Sequence, residues 1–362
     1  MRPPTNPSVP AGNVHPRLRY YPHHADYLGL EPEFRPFVMF TDQPNYRSPS
    51  VNTDKFGLRE QYDAEGEFID LKSVRVAYPR CNVLLGGSTV FGVDATSDRA
   101  TLSQHLHRDG TPCLNLGFRA ATGQQELAMF LLLKRYLGRV LNVVLLTGVN
   151  DCALAARPGT RIYPGFGGTF YEGTALSPAR QQELLGIARY RTGRLVDRAF
   201  VRSRVVRGVL KLLLGRASAE GHPSRTSFEE KLEESMGFVE NTIDTWGNLQ
   251  STGGFKVHFV LQPAIGWTKK PLTAIERECF DADVALFPET RLFSSESTYD
   301  HCRNRLAAGC ERHQIEFHNA NEWLDEAPHL GEEIFTDVCH LSDSGARLVS
   351  GLLRDRLNWR ES

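Results

Sequence analysis

The stretch NVLLGGSTVFG, Asn82 to Gly92, decides the fold. NVLL (82–85) reads as a short strand buried on both faces. It ends at Gly86 and Gly87, and Ser88 follows at once. Glycines let a backbone turn sharply and let another group approach it closely. A strand that stops at a sheet edge and presents a bare hydroxyl is a candidate nucleophile site.

The chain downstream repeats this grammar. A helix is expected near TLSQHLHRD (101–109), a strand at CLNLG (113–117) and a helix at GQQELAMFLLLKRYL (123–137). Further strands are expected at VLNVVLLTG (140–148), FKVHFVLQP (255–263) and QIEFHNA (314–320), and a last helix at SDSGARLVSGLLRDRL (342–357). Alternating strands and helices predict an α/β domain over 80–362, with a mostly parallel sheet covered on both sides. Residues 1–79 read as an N-terminal extension or a small β-rich appendage. Its first 18 residues look extended or disordered, and SVNTDKFGLRE and SVRVAYP look like short strands. A long insertion is expected at about 156–240. Within it PGFGGTFYEGT (164–174) reads as a loop. Gly186 to Ala217 holds eight arginines and Lys211 against one acid, Asp197. A helix with a solvated basic face is the plain reading of that stretch; a lid or a docking face for an anionic partner is the sharper one.

Bulk composition narrows the class. The 362 residues are 41% hydrophobic, enough for a large core, and the net charge of −1 gives no global attraction to nucleic acid. Seven cysteines form no CxxC pair, which points to a reducing, cytoplasmic setting. The N-terminal MRPPTNPSVPAGNVHP has no apolar core of a secretory signal, and no apolar run is long enough to span a membrane.

In an open parallel sheet, ligands bind beyond the carboxyl ends of the strands. Four loops fall there: Gly86-Gly87-Ser88-Thr89, Asn115 to Ala120, Gly148-Val149-Asn150-Asp151 and, near the C-terminus, Asp337-Val338-Cys339-His340. Each fits a role in acyl transfer. Ser88 needs a base to take its proton. His340 is that candidate base, and Asp337 can hold its tautomer. The Asn150 amide suits an oxyanion, and the Ser88 N–H with one from the second loop can complete the hole. Alone, each loop has a plainer reading as a phosphate-binding turn, a helix cap or a simple turn. Their conjunction, in this order, is what points to catalysis. No GK[ST] or GxGxxG pattern is present.

The four loops resemble the blocks of the SGNH (GDSL-type) hydrolase superfamily: GGSTVFG (86–92), NLGFRAATGQQEL (115–127), GVND (148–151) and DVCH (337–340). The resemblance covers about 80–358. It implies a three-layer α/β/α sandwich of flavodoxin-like type, an acyl-enzyme route and no metal or other cofactor. It makes Ser88 the nucleophile, His340 the base, Asp337 its partner and Asn150 the oxyanion donor. In two places the sequence departs from the family. Gly87 stands where that family commonly has Asp. Ala120 stands at the oxyanion glycine of the second block, with Gly117 as the fallback donor.

Gly87, Arg119 and Gln262 are candidate substrate contacts. Arg119 either meets an anionic part of the substrate or pairs with a nearby carboxylate. His23, His24 and Asp26 read as surface residues rather than metal ligands, and Cys152 and Cys339 as packing residues. The expected activity is a serine esterase acting on a small acyl group, O-acetyl for example, of a sugar or polar metabolite. An acyltransferase or thioesterase served by an acidic carrier protein, and a non-catalytic binding module, are the alternatives.

Overall fold

The computed structural model describes residues 15–360 except 36, 108–109, 158–225, 327–328 and 330. The expected loop at 164–174, the basic stretch 186–217 and residues 1–14 lie outside the described residues.

Two short strands, β1 (Pro32–Arg35) and β2 (Met39–Asp42), form an antiparallel pair in the N-terminal part. The main sheet contains β3 (Arg80–Gly86), β4 (Cys113–Asn115), β5 (Arg139–Thr147), β6 (Lys256–Leu261) and β7 (Glu316–Asn319). All its pairings are parallel, in the order β4-β3-β5-β6-β7. Counted within this sheet, that is the doubly wound order 2-1-3-4-5, whose switch point lies between β3 and β5.

Strand side chains alternate between the two faces, and here both faces are covered. Val83, Leu85, Val143, Leu145, Val257 and Phe259 pack with Phe130, Ile243, Trp246 and Leu306 from the helices Gly123–Leu133, Phe228–Gly253 and Glu296–Arg312. Leu84, Val144, Leu146 and Val260 pack with Val349 and Leu353 of Asp343–Arg356 and with Trp323 of Ala320–Leu324. The result is a three-layer α/β/α sandwich. Residues 228–240, expected within the insertion, belong to the long helix Phe228–Gly253. A Ser227/Glu230 capping box starts that helix and Gly254, at φ 69°, stops it.

The N-terminal part differs from expectation. Residues 16–18 are helical, in Pro16–Tyr20. SVRVAYP is a helical turn, Val74–Ala77, not a strand. A short apolar run does not distinguish the two, and only Val74 of that turn is buried. SVNTDKFGLRE folds around a single bridge, Thr53 to Arg59. Nor is this part closed on itself: Val38, Phe40, Leu58, Ile69 and Leu71 enter the same core cluster as the sheet.

Arg59 ties this segment down. Its side chain is fully buried. It donates to Asp98 Oδ1 at 2.5 Å, to the Tyr27 hydroxyl at 2.9 Å, to the Gly92 carbonyl at 3.0 Å and to the Ser50 carbonyl at 2.6 Å. Arg59→Ala leaves Asp98 without its buried cation and is expected to cost about 3–5 kcal/mol, read as a lower urea midpoint. Arg99→Ala, an exposed neighbour, should shift it by less than about 1 kcal/mol.

Candidate active site

The switch point places the serine turn and the GVND turn side by side. β3 ends at Gly86, and Ser88 opens a four-residue helix, Ser88–Phe91, with Gly87 as its cap. β5 ends at Thr147. Gly148 takes φ 100°, and the next helix, Val149–Ala156, begins. Gly87 is required by the neighbour across this gap: a Cβ there would lie 2.2 Å from Asn150 Nδ2. The larger Asp side chain has no room in this backbone.

Asn150 Nδ2 donates one hydrogen to the Ala121 carbonyl at 2.6 Å, which leaves its second N–H for another acceptor. Ala120 takes φ 56°, the left-handed region that costs a side-chain-bearing residue roughly 1–2 kcal/mol. Its N–H donates to no protein group among the described residues, and Ala120 lines the cavity described below. The Gly117 N–H is already committed to Asn115 Oδ1 at 3.0 Å, which removes Gly117 as the fallback donor. The Ser88 N–H, at a helix start, has no partner one turn back.

The loop Asp337–His340 meets Ser88. His340 Nε2 is 2.6 Å from Ser88 Oγ, and His340 Nδ1 is 2.5 Å from Asp337 Oδ2. Asp337 Oδ1 accepts the backbone N–H groups of Cys339 (2.9 Å) and His340 (2.7 Å). An ionised carboxylate only accepts, so Nδ1 carries the imidazole proton and Nε2 faces the hydroxyl as an acceptor. The loop is held from behind. Glu276 Oε1 accepts the N–H groups of Ile334 and Phe335, while Lys270 Nζ bonds Glu276 Oε2 at 2.7 Å in a fully buried pair. Thr89 Oγ1 donates to the Cys339 carbonyl at 3.0 Å and accepts from Gln262 Nε2 at 2.8 Å.

The N-terminal helix supplies a residue that sequence reasoning missed. Arg17 pairs through Nη1 with Asp337 and through Nη2 with Asp94, and the same Nη2 lies 3.1 Å from His340 Nδ1. Its Nε bonds Asp94 Oδ2 at 2.6 Å. Asp94 also accepts from Thr336 Oγ1 (2.5 Å) and faces His24 Nδ1 (2.6 Å). Burial alone would raise the Asp337 carboxyl; Arg17 above all, then His340, outweigh it and hold it far below the usual carboxylate range. Burial is likewise outweighed at Asp94, by Arg17 and then His24, and its pKa is lowered to about 2.

The remaining expected residues have other hydrogen-bond partners or are buried. Arg119 Nε pairs with Asp42, and its other nitrogens donate to the carbonyls of Tyr27 and Leu30. It lines the cavity and its donors anchor the N-terminal segment, so of the two readings the carboxylate pairing is the one seen. Gln262 is buried behind Thr89 and is not among the cavity-lining residues, so it braces the loop rather than meeting a substrate. His23 and His24 both address Asp94, at its carbonyl and its carboxylate, while Asp26 accepts the Ser50 N–H; the three do not converge on a metal. Cys152 and Cys339 are buried, and burial pushes both thiols up.

A cavity of about 350 Å³ opens over Ser88. Leu28 and Arg17 of the N-terminal segment wall one side, and Ala153, Phe287 and Phe293 supply apolar surface. Asp283 also lines it, with its pKa raised to about 7 by burial first and then by Asp337. The volume accommodates a short acyl group with a modest leaving group.

No family model matches the chain, and no curated protein matches it. Among solved structures it is similar to lipolytic and acyl-hydrolysing proteins. One is a member of the lipolytic protein G-D-S-L family from Veillonella parvula: 13% identity, 77% of this chain and 98% of that one, TM-score 0.41. Another is an extracellular lipase from Streptomyces rimosus: 12% identity, 77% and 100% coverage, TM-score 0.41. A third is an acetyl xylan esterase: 12% identity, 76% and 99% coverage, TM-score 0.39.

The Arg17 network sets a stability prediction. Arg17→Ala leaves two buried carboxylates facing each other and should cost about 3–5 kcal/mol at neutral pH. Arg19→Ala, at an exposed pair, should cost under about 1 kcal/mol. Asp94 is depressed from 3.8 to about 2, so its contribution is present above about pH 4 and is lost as pH falls toward 2. The gap between wild type and Arg17→Ala should therefore narrow over that window in pH-dependent urea unfolding.

Proposed function

We propose that the chain is a serine esterase that removes a small acyl group, acetyl foremost, from a sugar or other small polar alcohol. The observation that carries this is the unbroken line from Ser88 Oγ through His340 to Asp337, at 2.6 and 2.5 Å, beside a cavity of about 350 Å³.

In this reading His340 Nε2 takes the Ser88 proton as Oγ attacks the ester carbonyl. The oxyanion is met by the Ser88 and Ala120 N–H groups and the free N–H of Asn150. His340 then gives its proton to the departing alkoxide, which leaves as the alcohol. Water, deprotonated by the same nitrogen, attacks the acyl-enzyme; the Ser88 Oγ–acyl bond breaks, His340 returns the proton to Oγ, and the acid leaves. Asp337, ionised throughout, keeps the ring in the orientation both proton transfers need. An acyltransferase or thioesterase would share the acyl-enzyme and change only the acceptor or donor; the basic stretch that suggests an acidic carrier protein lies outside the described residues.

The direct test is hydrolysis of p-nitrophenyl esters, acetate through octanoate. Wild type should act best on acetate, and Ser88→Ala should lose at least about 10³-fold in kcat. Unchanged turnover in Ser88→Ala would overturn the assignment. Gly87→Ala should displace the Asn150 amide and lower kcat by about 10²–10³-fold, the loss of one oxyanion donor, with secondary structure retained by circular dichroism. A Gly87→Ala enzyme with wild-type kcat would remove Asn150 from the oxyanion role.

A further inference from the structure

At the opposite edge of the sheet, where the strands begin, a polar row crosses the middle of an apolar face. Asn82, Asn142 and His258 project from β3, β5 and β6, and Glu316 and His318 from β7. The register pairs His258 with Glu316 and Val260 with His318, so the three ionisable residues share one face. The rings of Trp323 and Trp359 flank them, 5.8 Å from His318 and 6.0 Å from His258.

Hydrogen-bond accounting along this row leaves a gap. Asn142 Nδ2 gives its two hydrogens to Asn82 Oδ1 (2.8 Å) and the Arg360 carbonyl (3.0 Å), and its Oδ1 accepts the Arg360 N–H (2.8 Å). The Arg360 backbone therefore fixes the amide orientation, and Asn142 Oδ1 faces His258 Nε2 at 3.3 Å. The neutral His258 ring carries one proton: on Nδ1 it is given to Glu316 Oε2 at 3.0 Å, and on Nε2 it points at Asn142 Oδ1 and leaves the Nδ1 lone pair beside that carboxylate. His318 Nε2, 3.6 Å from Glu316 Oε2, is buried and has no hydrogen-bond partner among the described residues. The second Glu316 oxygen is taken by Lys256 Nζ at 2.5 Å.

We infer that His258 Nδ1, Glu316 Oε2 and His318 Nε2 form a structural site for a divalent transition-metal ion of the zinc class. Two imidazoles and one carboxylate oxygen are a set such ions accept, with bonds of about 2.0–2.2 Å. The 3.0 and 3.6 Å spacings to Oε2 suit donors sharing one ion. All three donor atoms lie within 4.8 Å of one another, and rotation of the partly exposed His318 ring closes the remaining distance. Asn142 and Lys256 then act as outer partners, fixing the His258 tautomer and the carboxylate rotamer. The ion would fasten the edge strand β7 to β6, away from Ser88.

The test uses the full chain without a histidine tag, freed of metal and titrated with Co²⁺, then with Zn²⁺. Wild type should take up about one Co²⁺ per chain with visible ligand-field bands, and Zn²⁺ should raise its Tm. His318→Gln should weaken binding at least about 10-fold and abolish the Zn²⁺-dependent rise in Tm. Its metal-free Tm should lie within a few degrees of wild type, because Nε2 makes no hydrogen bond among the described residues and only the ring's contact with Trp323 is lost. His313→Gln, outside the cluster, should bind as wild type. Equal uptake by wild type and His318→Gln, or none by either, would overturn the site.

Discussion

The Arg17 guanidinium lies between two buried carboxylates, and most of the site's geometry depends on it. Asp337 must stay ionised and oriented to hold His340, yet it is almost wholly shielded from water. Burying an unpaired carboxylate costs several kcal/mol, and a nearby cation offsets that cost. Arg17 supplies the cation from a helix more than three hundred residues away in sequence. Asp94 holds Arg17 in turn, and Thr336, His24 and His23 hold Asp94. The N-terminal segment is thus a wall of the cavity and a member of the charge network. It shares its hydrophobic core with the sheet, through Phe40, Leu58 and Leu71.

A second constraint is steric. The serine turn and the Asn150 turn meet at the sheet's switch point, where a Cβ at position 87 has no space. Ala120 accepts a left-handed backbone in the same small volume. A strained residue at a loop that lines a cavity is where a fold stores the cost of a fixed N–H direction. The two positions that depart from the resembled SGNH blocks, 87 and 120, are the two that these constraints act on.

The α/β core was legible because its signals are local. β3, β5 and β6 are apolar runs of strand length, buried on both faces, and GVND and DVCH end in residues whose chemistry points to a role. The N-terminal part was not legible because tertiary ion pairs organise it. Asp42 with Arg119, Arg59 with Asp98 and Arg17 with Asp337 join residues 77, 39 and 320 positions apart. No spacing in a single sequence marks Arg17 as different from Arg19. SVRVAYP is too short for its period to separate strand from helix. Gln262 sits at the right sheet edge, but which way its side chain points depends on Thr89 and Cys339.

Activation of Ser88 by His340 is the central proposal for this site. The most direct measurement is labelling of the native chain with a fluorophosphonate, followed by mass spectrometry of the modified peptide. A single phosphonylated residue, Ser88, is expected, with loss of labelling in His340→Ala. Labelling at another serine, or equal labelling without His340, would contradict it.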